Sequence, residues 1–274
     1  MKLSVNEFTI LRDLIHERIG NFYSDDKREL LEDKLLSVVI ESGFDSFLDY
    51  YYSLKYDNTG EEWQKLKEAI RVPETYFWRE IDRIQALVDT LVPEYFATGT
   101  LKPLRIWSAA CSSGEEPLTI AMLLNEAGWF KRAKIEIIAS DMSKQGIEKA
   151  KQGIYTPYSL RNLPDAMRAK YFKQIEEKKW QISPDLPARI NWTTANLMEK
   201  SDIAGLATVN VIFCRNVFIY FSDEHIREIV NRFYEFMLNP GYLFVGASES
   251  LLRITTDFDL QEISGAYVYV KNIV

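Results

Sequence analysis

Apolar positions fall into two regimes along the chain. Up to residue 70 they recur at helical spacing. Ser4-Val5-Asn6-Glu7 has the form of a capping box, Phe8, Leu11, Ile15 and Ile19 follow on one stripe, and Gly20 suits the stop. A second helix is predicted from about Asp25 or Asp26, burying Leu30, Leu31, Leu35, Val38 and Val39 and ending before Gly43. Phe44, Phe47, Leu48, Tyr51 and Tyr52 predict a third, and Trp63, Leu66 and Ile70, after Asn58-Thr59-Gly60, a fourth. With no strand alternation among them, residues 1–72 are expected to form a helical domain. Val72-Pro73 breaks the pattern, because proline lacks a donor and restricts the residue before it. Tyr76-Phe77-Trp78-Arg79 is too aromatic for a free linker and is expected to dock on the rest of the chain. Ile81, Ile84, Leu87, Val88 and Leu91 then predict a helix up to Pro93, so residues 73–98 read as linker and helix.

From Leu101 strands and helices alternate. Strands are predicted at Leu104–Ser108, Ile135–Ala139, Ile190–Thr194, Val209–Phe213 and Tyr242–Val245, and helices at Leu118–Ala127, Lys144–Gln152 and Glu224–Met237. Phe258–Ile263 and Ala266–Val270 flank Ser264-Gly265, a hairpin signal. This is the order of a doubly wound α/β sheet ending in an antiparallel strand. One stretch interrupts it: Tyr171–Gln174 and Lys179–Ser183, within 167–188, predict an inserted β-hairpin. Two accounts of the insert stay open, a partner-handling unit beside the crevice and loop elaboration.

The chemistry concentrates where the first strand ends. Leu104-Arg105-Ile106-Trp107 gives way to Ser108-Ala109-Ala110-Cys111-Ser112-Ser113-Gly114, then Glu115-Glu116-Pro117 opens a helix. Small residues let a backbone approach a ligand closely. Two carboxylates at a helix start would repel a pyrophosphate, so the expected ligand is a phosphate-free nucleoside carrying positive charge, which S-adenosylmethionine is. The same two carboxylates would also complement the helix dipole, and both accounts stay open. Asp141, ending the second strand, stands where such sheets hold ribose hydroxyls.

Composition narrows the class. A net charge of −7 over 274 residues argues against a nucleic-acid binder, and 47% apolar with 27% charged residues is ordinary for a globular chain. Cys111 and Cys214 make neither a disulfide framework nor a paired metal motif. No secretory signal or spanning segment is found, so a cytoplasmic protein without membrane insertion is expected.

Taken together, Thr75-Tyr76-Phe77-Trp78-Arg79-Glu80, the stretch Ser108–Pro117, Ala139-Ser140-Asp141, Ala195-Asn196-Leu197, Phe213–Phe221 and Gly246-Ala247-Ser248-Glu249-Ser250 resemble, in order and spacing, the CheR-type chemotaxis receptor methyltransferases. The resemblance implies a Rossmann-like S-adenosylmethionine methyltransferase sheet over residues 73–274, with an N-terminal all-helical domain and a small inserted antiparallel β-subdomain. It implies a protein-glutamate O-methyltransferase that consumes S-adenosylmethionine, yields S-adenosylhomocysteine, uses no metal and acts as a monomer on the cytoplasmic helical domain of chemoreceptors. By the family's pattern Thr75, Arg79, Glu115, Asp141, Asn196, Leu197, Arg215 and Asn216 surround the cofactor, with Arg79 and Tyr220 near the transferred methyl. The helical domain and the insert face the receptor. Three features depart from the pattern: Pro73 replaces an asparagine, Trp78 replaces a phenylalanine, and the turn Ile175-Glu176-Glu177-Lys178 is short and lacks glycine, so a tethering peptide is not expected to bind there.

A glutamate carboxylate, with a pKa near 4.3, is already a nucleophile at neutral pH, so no general base is required. His16 and His225 sit in no motif. Catalysis is expected to be mostly positioning, worth roughly 7–11 kcal/mol when reactants are aligned. From the residues alone, Arg79 could hold a substrate carboxylate, the donor's own carboxylate, or an ion pair with Glu80 or Asp82. Tyr220 could orient the attacking oxygen or simply pack against Phe221, and Arg215 could contact adenosine or be a buried structural arginine.

Overall fold

The computed structural model describes residues 1–271; the last three residues of the expected 73–274 range lie outside them. The chain opens with four helices, α1 (Val5–Ile19), α2 (Arg28–Glu41), α3 (Phe47–Lys55) and α4 (Glu61–Ile70). Ser4 and Glu7 make the predicted capping box, and Gly20 closes α1 at φ 91°, a left-handed conformation open to glycine without strain. The second helix starts later than expected, because Asp25–Lys27 form a 3-10 turn ahead of it. Leu11, Ile15, Leu31, Leu35, Phe47, Tyr50 and Leu66 bury one another in a core of their own.

Next come α5 (Ile81–Ala86), a π-helical segment (Leu87–Leu91) and α6 (Val92–Ala97). The helix was expected to stop at Pro93, yet it runs on to Ala97. The wider π turn lets Val92 N–H bond Leu87 C=O, which places Pro93 in the first turn of α6, where a missing N–H does no harm.

The remaining elements are β1 (Leu104–Ala109), α7 (Glu115–Glu126), α8 (Trp129–Arg132), β2 (Ile135–Asp141), α9 (Lys144–Gln152), β3 (Ile154–Tyr155), α10 (Asp165–Tyr171), β4 (Phe172–Glu176), β5 (Lys179–Ile182), β6 (Ile190–Thr194), α11 (Lys200–Leu206), β7 (Val211–Cys214), α12 (Asp223–Phe236), β8 (Tyr242–Phe244), β9 (Phe258–Ile263) and β10 (Ala266–Lys271). The main sheet has the order β6-β2-β1-β7-β8-β10-β9. Its first five strands are mutually parallel, and β10 runs antiparallel to β8 and β9.

Alternate side chains of each strand leave opposite faces. Ile106, Ile137 and Phe213 join one core with α5, α7 and the insert, while Trp107, Ile212 and Leu243 join another with α12. The predicted hairpin of the insert is β4 and β5, with Tyr171 ending α10 instead of starting a strand. The short strand β3 adds to β5, making three strands. The aromatic linker docks as expected: Phe77 is fully buried, edge-on to Tyr155 and Phe172 of the insert. No helix among the described residues is long and apolar enough to cross a membrane.

Candidate active site

A cleft opens over the carboxyl ends of β6, β2, β1 and β7, where strand order reverses about β1, the usual ligand position in such sheets. It encloses about 1110 Å³ of non-protein space, solvent at its mouth included, and the end of α1, the end of α4 and the 71–79 segment wall its outer side.

The loop after β1 is contorted. Ala110 (φ 57°) and Ser112 (φ 54°) adopt left-handed backbone, which side chains other than glycine disfavour and which concentrates at functional sites. At Gly114 (φ 90°) a Cβ would come within 2.7 Å of Ala150 and 2.9 Å of Trp192, so only glycine fits. This contortion aims Ser112 N–H at Asp141, whose Oδ2 accepts it at 2.8 Å, while Oδ1 accepts Ser143 N–H at 2.8 Å. Burial pushes the Asp141 pKa up, against the pull of those two N–H groups. Each carboxylate oxygen has two lone pairs and spends one on the backbone, so one acceptor per oxygen remains, the pattern that two neighbouring hydroxyls need. Asn196 and Leu197 line the same end. The Asn196 carboxamide is already committed, donating to Arg18 C=O at 2.8 Å and accepting from Met198 N–H at 3.1 Å. It therefore pins the end of α1 to the sheet, and its place in the cleft is structural as well as lining.

The β7 end is built around Arg215, whose side chain is 2% exposed. It pairs with Glu116 (3.0 Å) and Glu80 (3.1 Å) and donates to Arg79 C=O at 2.7 Å. Burial raises the Glu116 pKa, with Arg215 and the Ser108 hydroxyl opposing; Glu80 is lowered, because Arg215, Asn216 and Arg83 together outweigh its desolvation. Asn216, left-handed at φ 57°, is fixed by Glu249, which accepts its N–H at 2.8 Å and that of Gly246 at 2.6 Å.

At the rim above this floor stand Arg79 and Tyr220. Arg79 donates to Glu74 C=O at 2.7 Å and lies 5.5 Å from the Tyr76 ring, and among the described residues it makes no ion pair. Glu80 and Asp82, its candidate partners, are taken by Arg215 and Arg83. Burial raises the Tyr220 pKa and Arg79 opposes it.

Thr75, Arg79, Asp141, Asn196, Leu197, Arg215, Asn216 and Tyr220 thus come together on one cleft. Glu115 does not. Consecutive residues of a helix point about 100° apart, so only one of the two carboxylates opening α7 can face the cleft, and Glu116 takes that place. The Glu115 carboxylate turns behind the loop, 1% exposed, accepting from the Ser113 (2.9 Å) and Ser159 (3.2 Å) hydroxyls.

Part of what builds the cleft escaped the sequence. Glu116 was visible only as half of a pair, and Glu80 and Glu249 act through partners distant in the chain. The helical domain also contributes. Asn21 bridges Phe221, Phe22 N–H bonds Tyr220 C=O at 2.8 Å, and His16 stacks on His225 with centroids 4.1 Å apart. These groups belong together only in the fold.

Free carboxylate acceptors at one end, a carboxylate at a helix start in the middle and, at the other, a guanidinium with no carboxylate partner among the described residues fit a nucleoside that bears an amino acid and no phosphate. Comparison with known proteins agrees. Residues 6–70 match the family model described as CheR methyltransferase, all-alpha domain, and residues 73–266 match that described as CheR methyltransferase, SAM binding domain. The chain is 37% identical to chemotaxis protein methyltransferase 2 of Vibrio cholerae, over 97% of this chain and 92% of that one. It is 31% identical to a chemotaxis protein methyltransferase of Borreliella burgdorferi (92% and 90% covered) and 30% identical to that of Escherichia coli (95% and 90% covered).

Proposed function

The chain belongs to the CheR methyltransferase family, and from that premise we propose that it transfers the methyl group of S-adenosylmethionine to glutamate side chains on the cytoplasmic helical domain of chemoreceptors. The observation that carries this reading is the polarity of the cleft: a two-oxygen acceptor at Asp141 and, at its other end, a guanidinium that among the described residues has no carboxylate partner, beside a phenol.

S-adenosylmethionine, when bound, supplies a methyl group on a sulfonium, whose leaving group is a neutral thioether. Asp141 accepts from the ribose hydroxyls, with Asn196 and Leu197 against the adenine. Thr75 and Asn216 flank the donor's amino-acid end, Arg215 keeps Glu116 in place beneath it, and Glu249 keeps Asn216. Arg79 holds a carboxylate at the transfer end by a charge-assisted hydrogen bond. Tyr220, its proton retained because burial raises its pKa, donates to the attacking carboxylate and fixes its direction. Neither residue abstracts a proton, because an ionised glutamate has none to give up at neutral pH. Residues 1–72, whose helix ends wall the cleft, and the insert present the receptor, residues 73–274 carry out transfer, and the protein works as a cytoplasmic monomer.

Incubation with tritiated S-adenosylmethionine and receptor-bearing membranes tests this. Base-labile label on the receptor is the expected result, since carboxyl methyl esters hydrolyse in alkali. Label that survives alkali, or label on nucleic acid instead, would overturn it.

A further inference from the structure

Arg71 is the residue just past α4, outside every motif of the chain, yet it lines the donor cleft. We infer that its guanidinium is a direct contact for the adenosyl half of the donor, so that the helical domain completes the donor site. This rests on the proposed function, which makes the ligand S-adenosylmethionine.

Its N–H groups are underused. One terminal nitrogen donates to Ser112 Oγ at 3.2 Å, and the other lies 4.0 Å from Glu68 Oε2. Its Nε is buried and has no hydrogen-bond partner among the described residues. Buried donors in folded proteins nearly always find a partner, and Arg71 lines the cleft with this one unmet. Arg215 also has an unpartnered Nε, but two carboxylates and a carbonyl occupy its other nitrogens. Glu68 meets Arg71 only at that 4.0 Å distance, and its carboxylate also accepts from Ser143 Oγ at 2.6 Å, Gln145 N–H at 3.2 Å and Gln64 at 2.9 Å.

The position of Arg71 is built. Lys34 Nζ donates to the carbonyls of Ile70 (3.1 Å) and Arg71 (3.4 Å), holding the backbone from α2. Ser112, on which the guanidinium rests, gives its N–H to Asp141, and Arg71 is close enough to pull the Asp141 pKa down against burial. Arg71 thus stands at the ribose-binding end, over β1 and β2, while Arg79 stands at the transfer end over β7. An adenosyl group offers ring nitrogens and ribose oxygens as acceptors there, and Asp141 offsets the arginine's charge.

The two ends can be tested separately with two ligands. S-adenosylhomocysteine carries the amino-acid tail; 5′-methylthioadenosine shares the adenosyl group and lacks that tail. Calorimetry on Arg71→Ala is expected to show both dissociation constants raised about tenfold, the loss of one hydrogen bond from a charged donor. Arg79→Ala is expected to weaken S-adenosylhomocysteine alone. Arg71→Lys keeps the charge but not Nε and is expected to stay weak. Should Arg71→Ala lose its cooperative unfolding transition, Arg71→Met, which keeps the length of the stem, takes its place. Unchanged affinity for both ligands in the folded variant, loss confined to S-adenosylhomocysteine, or full rescue by lysine would each overturn the inference. Wild-type protein that binds neither ligand would overturn the proposed function and this inference with it.

Discussion

The floor of the cleft and its rim use the same kinds of side chain in opposite ways. On the floor, Arg215 is buried between Glu116 and Glu80, every partner fixed by a second one. At the rim, Arg79 has one carbonyl and, among the described residues, no carboxylate, and Tyr220 faces the cleft beside it. A charge enclosed among its counterions is structure, and one held at a surface without them is free to meet a ligand. If this contrast holds, substitutions on the floor cost stability whatever they do to transfer, and those at the rim act on transfer alone.

Arg215→Ala should have the largest effect. It strands the carboxylate of Glu116, 16% exposed, and takes from Glu80 one of its two arginines, and breaking a buried pair from one side costs about 3–5 kcal/mol. Urea unfolding measures this directly, and a loss below about 1 kcal/mol would remove the distinction between floor and rim. Arg79→Ala is the converse. Its unfolding free energy should move by no more than about 0.5 kcal/mol, while methyl transfer falls roughly 100-fold, about 2.7 kcal/mol of transition-state stabilisation. Comparable losses of stability in the two variants would mean that Arg79 is structural too.

Tyr220→Phe sharpens the account of the rim. Removing one neutral donor should slow transfer roughly fivefold, about 1 kcal/mol. Burial raises the Tyr220 pKa above its ordinary value near 10, so the proton stays on throughout the neutral and mildly alkaline range. The ratio of wild-type to Tyr220→Phe rates should therefore be constant between about pH 7 and about pH 10. A ratio that grows with pH would make Tyr220 a base.

How far the sequence foretold this contrast depends on the range of each interaction. The alternation of strands and helices was legible because periodicity is local, and so were the capping box at Ser4 and the left-handed Gly20. The helix running through Pro93 was not, since a π turn leaves no composition signal. Nor was β3, whose two residues are too few for a pattern. Among site residues, Asp141 could be read from its place at a strand end. Arg79 and Arg215 could be picked out but not told apart, because a linear chain does not show which carboxylates fold up against which arginine. His16 and His225 looked idle for the same reason, yet they stack across the domain contact. Glu115 and Glu116 are the sharpest case. Adjacent and chemically identical, they are separated only by the helical turn that sends one to Arg215 and the other to two serines.

That pair supplies the smallest effect and a direct check on which carboxylate belongs to the cleft. Burial raises the Glu115 pKa, and hydrogen bonds from the helix backbone, Ser113 and Ser159, with the charge of Lys149, only partly compensate. A raised folded-state pKa means that the protonated form favours the fold. Its contribution is complete below the unfolded value, near 4.3, and is lost as pH rises through the folded one. Toward neutral pH the wild type therefore loses that contribution, and the donors that face the carboxylate are hydroxyl and backbone groups. Glu115→Gln keeps an oxygen acceptor for those donors and has no charge to bury. Its stability relative to wild type should climb with pH, from parity at about pH 4 to a gain of up to about 1 kcal/mol at pH 7, read from urea unfolding at each pH. Methyl transfer should be unchanged, whereas Glu116→Gln, which takes a charge from Arg215, should lower both stability and rate. A Glu115→Gln variant that folds normally but transfers poorly would return Glu115 to the cleft.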